Sequence, residues 1–151
     1  DDIEQYAYAL PNERSKIEFL KDLLVDENEF SRVLVFVRSK NTVENIAKYL
    51  DRKIEGEVRT LHSNKGQNSR INAMQAFKDG EVRMLIATDV ASRGIDVTGV
   101  SHVINFDVPR NYEDYVHRIG RTGRAKMSGI AISFVNKAEK YHLKNIEKLI
   151  R

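Results

Sequence analysis

The sequence predicts an α/β fold with a mainly parallel β-sheet and helices on both faces of the sheet. Apolar runs of strand length recur along the chain, and stretches of helical periodicity separate them. The main runs are apolar throughout, which is typical of strands covered on both faces. Strand, helix and strand repeated at this spacing indicate right-handed βαβ units. Ligands bind such sheets beyond the carboxyl ends of the strands, so the polar loops after the strands should form one functional edge.

Six segments are predicted to be strands. Most of them are rich in Val, Ile, Leu and Phe, the third is the weakest, and the first alternates only partly. That partial alternation indicates a strand at the edge of the sheet. The predicted strands are, in chain order, 3–9, 33–37, 58–61, 84–87, 103–106 and 130–135.

Helices are predicted where apolar residues recur three or four positions apart. The second helix has Asn41 as its expected N-cap with Glu44 as the N3 partner, and Gly80 is expected to end the third. Before the last helix, Asn136 and Glu139 have the spacing of a capping box. The apolar positions are Ile17, Leu20 and Leu24; Val43, Ile46, Ala47 and Leu50; Ile71, Met74 and Phe77; and Leu143, Ile146 and Ile150.

Composition excludes several classes of protein. The chain has 151 residues, no cysteine and a net charge of +3, and its length is typical of one domain, which we assign to residues 1–151. Without cysteine there is no disulfide and no thiolate metal site, and the four histidines lack the spacing of a zinc site. No apolar run approaches the ~20 residues of a membrane span. We expect a monomeric, cytoplasmic protein, and the composition indicates neither a metal ligated by its own side chains nor membrane contact.

The densest functional signal is the segment His-Arg-Ile-Gly-Arg-Thr-Gly-Arg at residues 117–124, which a short helix after Asn111 is predicted to precede. Its three arginines stand three residues apart, and no acidic residue offsets them. Guanidinium groups bind phosphate oxygens in a bidentate manner, and the two glycines let the backbone approach a ligand. The segment indicates either a surface that binds a polyanion or a site that stabilises charge on a transferring phosphoryl group.

Three further loops carry polar residues suited to phosphate or ribose. In the loop at 87–96, Thr88 can donate to a phosphate oxygen, and Asp96 can accept from a ribose hydroxyl. The segment at 61–70 has the character of an anion site at a helix N-terminus, and the turn at 38–41 is basic. Each has an ordinary alternative that the residues leave open: a capped polar loop, a common strand-to-helix junction, or a solvated turn.

The phosphate loop of nucleoside triphosphatases is missing from the sequence. No segment matches Gly-x-x-x-x-Gly-Lys-Ser/Thr, and no predicted strand ends in paired acids suited to Mg²⁺. If Arg121 and Arg124 serve phosphoryl transfer, they must reach a nucleotide that another part of the protein holds, as arginine fingers do.

Taken together, these segments resemble the C-terminal RecA-like domain of the DEAD-box RNA helicases. The resemblance is carried by residues 117–124 and by Ala-Thr-Asp-Val-Ala-Ser-Arg-Gly-Ile-Asp at 87–96. Residues 33–40 resemble the family's motif IV, 67–70 its Gln-x-x-Arg element, and 105–109 the segment between motifs V and VI. The resemblance covers essentially the whole chain and implies a RecA-like sheet. The stretch Lys-Gly-Gln is most similar to bacterial RhlE-type members.

On the nucleotide side, the resemblance implies an ATP site shared with an N-terminal RecA-like lobe that is not in this sequence. Arg121 and Arg124 would be arginine fingers on the γ-phosphate, Asp96 would hold the ribose, and Gly94 would lie in the nucleotide-facing loop. Mg²⁺ would be held mainly by the N-terminal lobe, so this domain alone would not hydrolyse ATP. The residues that would couple the two lobes are His117 and Arg118.

On the RNA side, the resemblance implies contacts from Thr88 and Arg70 to the sugar–phosphate backbone of single-stranded RNA, together with Ser39. One segment departs from the family pattern, because His-Ser-Asn stands at 62–64 where the family usually has His-Gly-Asp. A backbone-amide contact to RNA could survive this change, whereas a role that needs the carboxylate could not. Asn64 is therefore kept only as a candidate RNA contact.

Three functions remain open from the sequence. The leading one is half of an ATP-dependent RNA helicase, with RNA-processing or ribosome-assembly proteins as further partners. The second is the corresponding lobe of a DNA-directed helicase or translocase. The third is a module that binds RNA or a protein by itself.

Overall fold

Six strands and three helices account for the regular structure of the residues that the computed structural model describes, which are 3–89, 91, 99–109 and 129–140. The three helices lie between the first four strands, one in each connection. The elements are β1 Ile3–Ala9, α1 Glu13–Leu23, β2 Val33–Val37, α2 Lys40–Leu50, β3 Val58–Leu61, α3 Gln67–Lys78, β4 Met84–Thr88, β5 His102–Asn105 and β6 Gly129–Val135.

The six strands form one sheet in the order β1-β6-β5-β2-β4-β3, and every pair of neighbours is parallel. The predicted α/β class with a parallel sheet is confirmed, and so is the position of β1 at an edge. Because all strands run in the same direction, their carboxyl ends and the loops that follow them lie along one edge of the sheet. The predicted short helix after Asn111 and the last helix, with Leu143, Ile146 and Ile150, lie outside the described residues.

The central strand β2 is buried on both faces, so its alternate residues pack into two separate cores. Its odd-numbered residues pack with Leu20 of α1 and Ile46 of α2. Its even-numbered residues pack with Phe77 of α3 on the other face. The prediction of helices on both faces is therefore confirmed, and the continuous apolar runs have the two-sided burial that their composition indicated.

Two details of the predicted helices are wrong. Helix α2 is capped by Ser39, whose side chain accepts from the Thr42 backbone, whereas Asn41 lies inside the first turn. In α3 the buried face is rotated about the helix axis relative to the predicted apolar face, because Ile71 is 51% exposed while Ala73, Ala76 and Phe77 are buried. Small alanine side chains let a helix lie close to a sheet, and a search for large apolar residues overlooks them. By contrast, α1 buries its predicted face.

Candidate functional site

The carboxyl ends of three neighbouring strands bring the predicted RNA contacts to one part of the sheet edge. Val37 at the end of β2 lies opposite Thr88 at the end of β4, and Leu61 at the end of β3 lies opposite Ala87. Ser39 follows β2 by two residues, and the His-Ser-Asn segment follows β3 directly. Parallel pairing therefore gathers residues that are far apart in the sequence, as the sequence predicted.

Ser39 presents its hydroxyl at this edge because it is the N-cap of α2. Its backbone is extended, and Oγ accepts from the Thr42 amide at 3.3 Å. The same hydroxyl lies 3.0 Å from Thr42 Oγ1, which in turn lies 3.0 Å from Glu13 Oε1 on the preceding helix. This chain of hydrogen bonds fixes the exposed start of α2 relative to α1.

Thr88 and Arg70 lie on either side of the loop that follows β4. Thr88 is the last residue of that strand and is half-buried. Arg70 lies in the first turn of α3, and its Nε donates to the carbonyl of Ala91 at 2.9 Å. This bond ties α3 to the loop that follows Thr88.

Asn64 is exposed, and a buried histidine orients its backbone. The backbone amide of Asn64 donates to His62 Nδ1 at 3.2 Å, and His62 Nε2 is hydrogen-bonded to Glu44 Oε2 at 2.6 Å. This hydrogen bond from His62 lowers the pKa of Glu44 below its ordinary 4.5, and the charge of Lys65, whose Nζ lies 3.6 Å away, adds to the effect. The His-Ser-Asn loop is thus held at the edge by α2.

The remaining predicted site residues fall outside the part of the chain that the structure describes. They comprise the ATP-binding, arginine-finger and lobe-coupling candidates, which therefore stay predictions. The residues concerned are Gly94, Asp96, His117, Arg118, Arg121 and Arg124.

Neither a metal site nor a membrane span is present within the described ranges. Residues 3–89, 91, 99–109 and 129–140 contain no group of three or more His, Cys, Asp or Glu side chains that could hold a metal ion. In the same ranges no helix has both the length and the apolar character needed to cross a lipid bilayer.

A group of charged residues on the other half of the same edge was not predicted. Lys16 of α1 lies 3.0 Å from Glu139 and 3.4 Å from Asp107, and Arg38 lies 3.5 Å from Glu139. The predicted capping-box bonds between Asn136 and Glu139 are present, and Arg38 belongs to the turn at 38–41 that the sequence marked as basic. Nothing in the sequence indicated that Lys16 is buried, because a lysine beside the apolar face of an amphipathic helix normally faces solvent. We call Lys16, Arg38, Asp107 and Glu139 the Glu139 cluster.

The family of this chain follows from its similarity to a known domain family and to curated proteins. Residues 15–126 match the helicase conserved C-terminal domain. The ATP-dependent RNA helicase RhlB of Pseudomonas syringae pv. tomato is 43% identical over 148 residues, which are 98% of this chain and 36% of that protein. The DEAD-box ATP-dependent RNA helicase CshA of Geobacillus kaustophilus is 42% identical over 97% of this chain and 31% of its own length. The chain thus spans about a third of the length of these relatives.

Solved structures agree with this assignment. Escherichia coli SrmB, a DEAD-box protein crystallised with the regulator of ribonuclease activity A, superposes with a TM-score of 0.91 at 38% identity, over 100% of this chain and 88% of the other. A Saccharomyces cerevisiae Dbp5 variant bound to RNA and ADP BeF3 gives 0.87 at 34% identity, over 98% of this chain and 39% of the other. The chain belongs to the helicase C-terminal domain family, in the RecA-like form found in DEAD-box proteins. The RhlE-type subgroup stays a prediction.

Proposed function

We propose that this chain is the second RecA-like lobe of an ATP-dependent RNA helicase. In this function the edge formed by β2, β4 and β3 contributes to a site for the backbone of single-stranded RNA. The observation that supports the proposal most directly is the gathering of Ser39, Asn64, Arg70 and Thr88 at that edge. The Dbp5 variant that superposes on this chain was crystallised with RNA and ADP BeF3.

The chemistry of this edge favours backbone contacts over base recognition. Two hydroxyls, an amide and a guanidinium can donate to phosphate oxygens and sugar hydroxyls, which are the same at every nucleotide. None of the four residues is aromatic, so none of them offers an aromatic ring on which a base could stack. We therefore infer that the site binds RNA with little sequence preference.

The proposed role in ATP hydrolysis depends on two arginines of the segment at 117–124. We infer that Arg121 and Arg124 reach the γ-phosphate of ATP held between this lobe and the N-terminal lobe, where their positive charge stabilises the transition state. Asp96 would accept from the ribose, Gly94 would line the nucleotide loop, and His117 with Arg118 would contact the other lobe. Mg²⁺, held mainly by that lobe, would neutralise phosphate charge.

The test uses the full-length protein with single substitutions. Arg121→Ala and Arg124→Ala should each lower ATP turnover by about a thousandfold or more, while part of the RNA affinity remains. Arg70→Ala should raise the RNA concentration needed for half-maximal stimulation more than it lowers turnover. Arg59→Ala is the matched control, because this exposed arginine lies in β3 and pairs with Glu57 at 2.8 Å.

Three outcomes would contradict the proposal. An unchanged turnover in both finger variants would remove the role of Arg121 and Arg124. An unchanged response of Arg70→Ala to RNA would remove the proposed RNA edge. Stimulation of the wild-type protein by DNA in place of RNA would move it to the DNA-directed helicases. A single domain over residues 1–151, a monomer, a cytoplasmic location, and RNA-processing or ribosome-assembly partners remain predictions.

A further inference from the structure

The Glu139 cluster joins three loops at the carboxyl edge of the sheet. Arg38 begins the loop after β2, Asp107 lies in the loop after β5, and Glu139 lies in the loop after β6. Lys16 of α1 contacts both acids, with Nζ 3.0 Å from Glu139 Oε1 and 3.4 Å from Asp107 Oδ1. These strands are β2, β5 and β6, which are consecutive in the sheet. The cluster therefore lies beside the proposed RNA edge, with β2 shared by both.

The Glu139 cluster differs from a surface ion pair because two of its charged side chains are buried. The side chains of Lys16 and Glu139 are each 4% exposed, and two positive charges balance two negative ones. Each of the two carboxylate oxygens of Glu139 accepts hydrogen bonds from two donors. Oε1 accepts from Lys16 and from the Asn136 amide at 3.1 Å, and Oε2 accepts from the Val108 amide at 3.0 Å and more weakly from Arg38. A buried carboxylate with four donors holds its surroundings in one arrangement.

The loop after β5 is the part that the cluster holds most firmly. Asp107 Oδ2 accepts from the Arg38 backbone amide at 2.8 Å, and the Arg38 side chain donates to the Val108 carbonyl at 3.3 Å. Since Glu139 binds the amide of Val108, both polar groups of that peptide backbone are engaged. Along the sequence this loop leads into the arginines at 117–124, and Arg38 directly precedes Ser39. Glu139 is thus hydrogen-bonded both to the residue that precedes Ser39 and to the loop that leads, along the sequence, into residues 117–124.

We propose that Glu139, held by Lys16, is a positioning residue that couples RNA bound at the edge to the arginine segment. A displacement of the turn at Arg38 and Ser39 is transmitted through Asp107 and Val108 to the chain that follows. This inference rests on the proposed function, because it assigns a link between two of its sites. The alternative is that the cluster only stabilises the fold.

The experiment measures RNA stimulation in the full-length protein, as the ratio of ATP turnover at saturating RNA to turnover without RNA. An inactive fraction of enzyme lowers both rates equally and leaves the ratio unchanged, so the ratio separates positioning from stability. Glu139→Gln should lower the ratio by about fivefold or more, the lower range of coupling between sites. The control is Glu18→Gln, which breaks an exposed pair with Arg14 on the same helix as Lys16 and should leave the ratio unchanged.

A double variant, Lys16→Met with Glu139→Leu, separates the two roles further. Apolar side chains can replace a buried ion pair with little loss of stability, but they cannot bind the Val108 amide. The double variant should therefore fold with a lowered melting temperature, because the Val108 and Asn136 amides lose their acceptor, and it should show a lowered ratio. If it does not fold, Asp107→Ala decides, because the Asp107 side chain is 18% exposed and its loss removes the acceptor of the Arg38 backbone amide while Lys16 and Glu139 stay paired.

A folded double variant with the wild-type ratio would overturn the inference and leave the cluster a purely stabilising role. An unchanged ratio in Asp107→Ala would have the same meaning where the double variant fails to fold. If instead wild-type turnover shows no response to RNA, the proposed function fails, and the inference fails with it. The two failures are distinct, because the second appears before any substitution is made.

Discussion

At the scale of single residues, the most consequential buried group outside the site is His102, at the start of β5. It is 2% exposed and stacks on Phe30 with 3.8 Å between ring centroids and 17° between ring planes. Its Nδ1 lies 3.0 Å from Ser101 Oγ, and within the described residues its Nε2 has no hydrogen-bond partner. Burial favours the neutral ring and lowers the pKa of His102 from 6.5 to about 4.

This lowered pKa predicts a loss of stability in mild acid. Below pH 6.5 the unfolded chain binds a proton at this position while the folded chain does not, so stability is full above that pH and falls as the pH approaches 4. At pH 5 the loss amounts to about 2 kcal/mol. Urea unfolding of the domain at pH 7 and pH 5 measures it, and His102→Phe should reduce the difference between the two values by that amount. An equal pH dependence in both proteins would contradict the assignment to His102.

The burial of Arg83 is an example of a feature that the sequence could not predict. This arginine immediately precedes β4, is 8% exposed, and donates to the backbone carbonyls of Leu24, Phe30 and Glu55. Nothing in its sequence position distinguishes it from the exposed Arg59. Its burial depends on three carbonyls that come from distant loops, and such convergence is a property of the tertiary structure. Lys16 was missed for the same reason.

At the scale of elements, the start of α2 combines a structural and a proposed functional role in one side chain. Ser39 accepts from the Thr42 amide and thereby satisfies one of the backbone donors that a helix N-terminus leaves unpaired. Its hydroxyl is also a proposed RNA contact. Substitutions can separate the two roles because aspartate caps a helix as well as serine does, whereas alanine does not.

We predict opposite patterns for two variants at this position. Ser39→Ala should lose the cap and about 1 kcal/mol of stability. Ser39→Asp should retain the stability, since a negative charge is favourable at a helix N-terminus, but weaken RNA binding by repelling the phosphates. Urea unfolding of the domain and RNA titration of the full-length protein measure the two effects. Wild-type RNA affinity in Ser39→Asp would show that this residue lies away from the bound RNA.

The elements themselves were predictable to different degrees. The strands followed from continuous apolar runs, because burial on both faces leaves no polar position, and β2 and β4 are buried accordingly. The cap of α2 was predicted two residues too late, since Ser39 and Asn41 are both good caps and only the backbone geometry decides between them. The face of α3 was misassigned to Ile71 because its buried side includes two alanines, which carry little periodic signal.

At the scale of the whole molecule, the topology of the sheet explains why part of the site was predictable. Parallel strands place all of their following loops at one edge, so a polar residue after a strand has a known location even before the strand order is known. Ser39, Asn64, Arg70 and Thr88 could be grouped on this basis. The same rule places Arg38, Asp107 and Glu139 at this edge, but their contact depends on β6 lying next to β5, and the fourth member of the Glu139 cluster, Lys16, lies on α1.

The last prediction concerns the domain by itself. Because its sequence has no phosphate loop, the isolated domain should show no ATP hydrolysis above background, with or without RNA. It presents only part of an RNA site, so its RNA binding should be weak. A plot of the logarithm of the RNA association constant against the logarithm of the salt concentration should have a slope of about −2 or shallower, since each phosphate contact on a single strand contributes roughly −0.7. A titration of the purified domain with a labelled single-stranded RNA at several salt concentrations measures this slope. Tight binding with a steep slope would identify an autonomous RNA-binding module, and RNA-stimulated hydrolysis by the domain would contradict the division of the ATP site between two lobes.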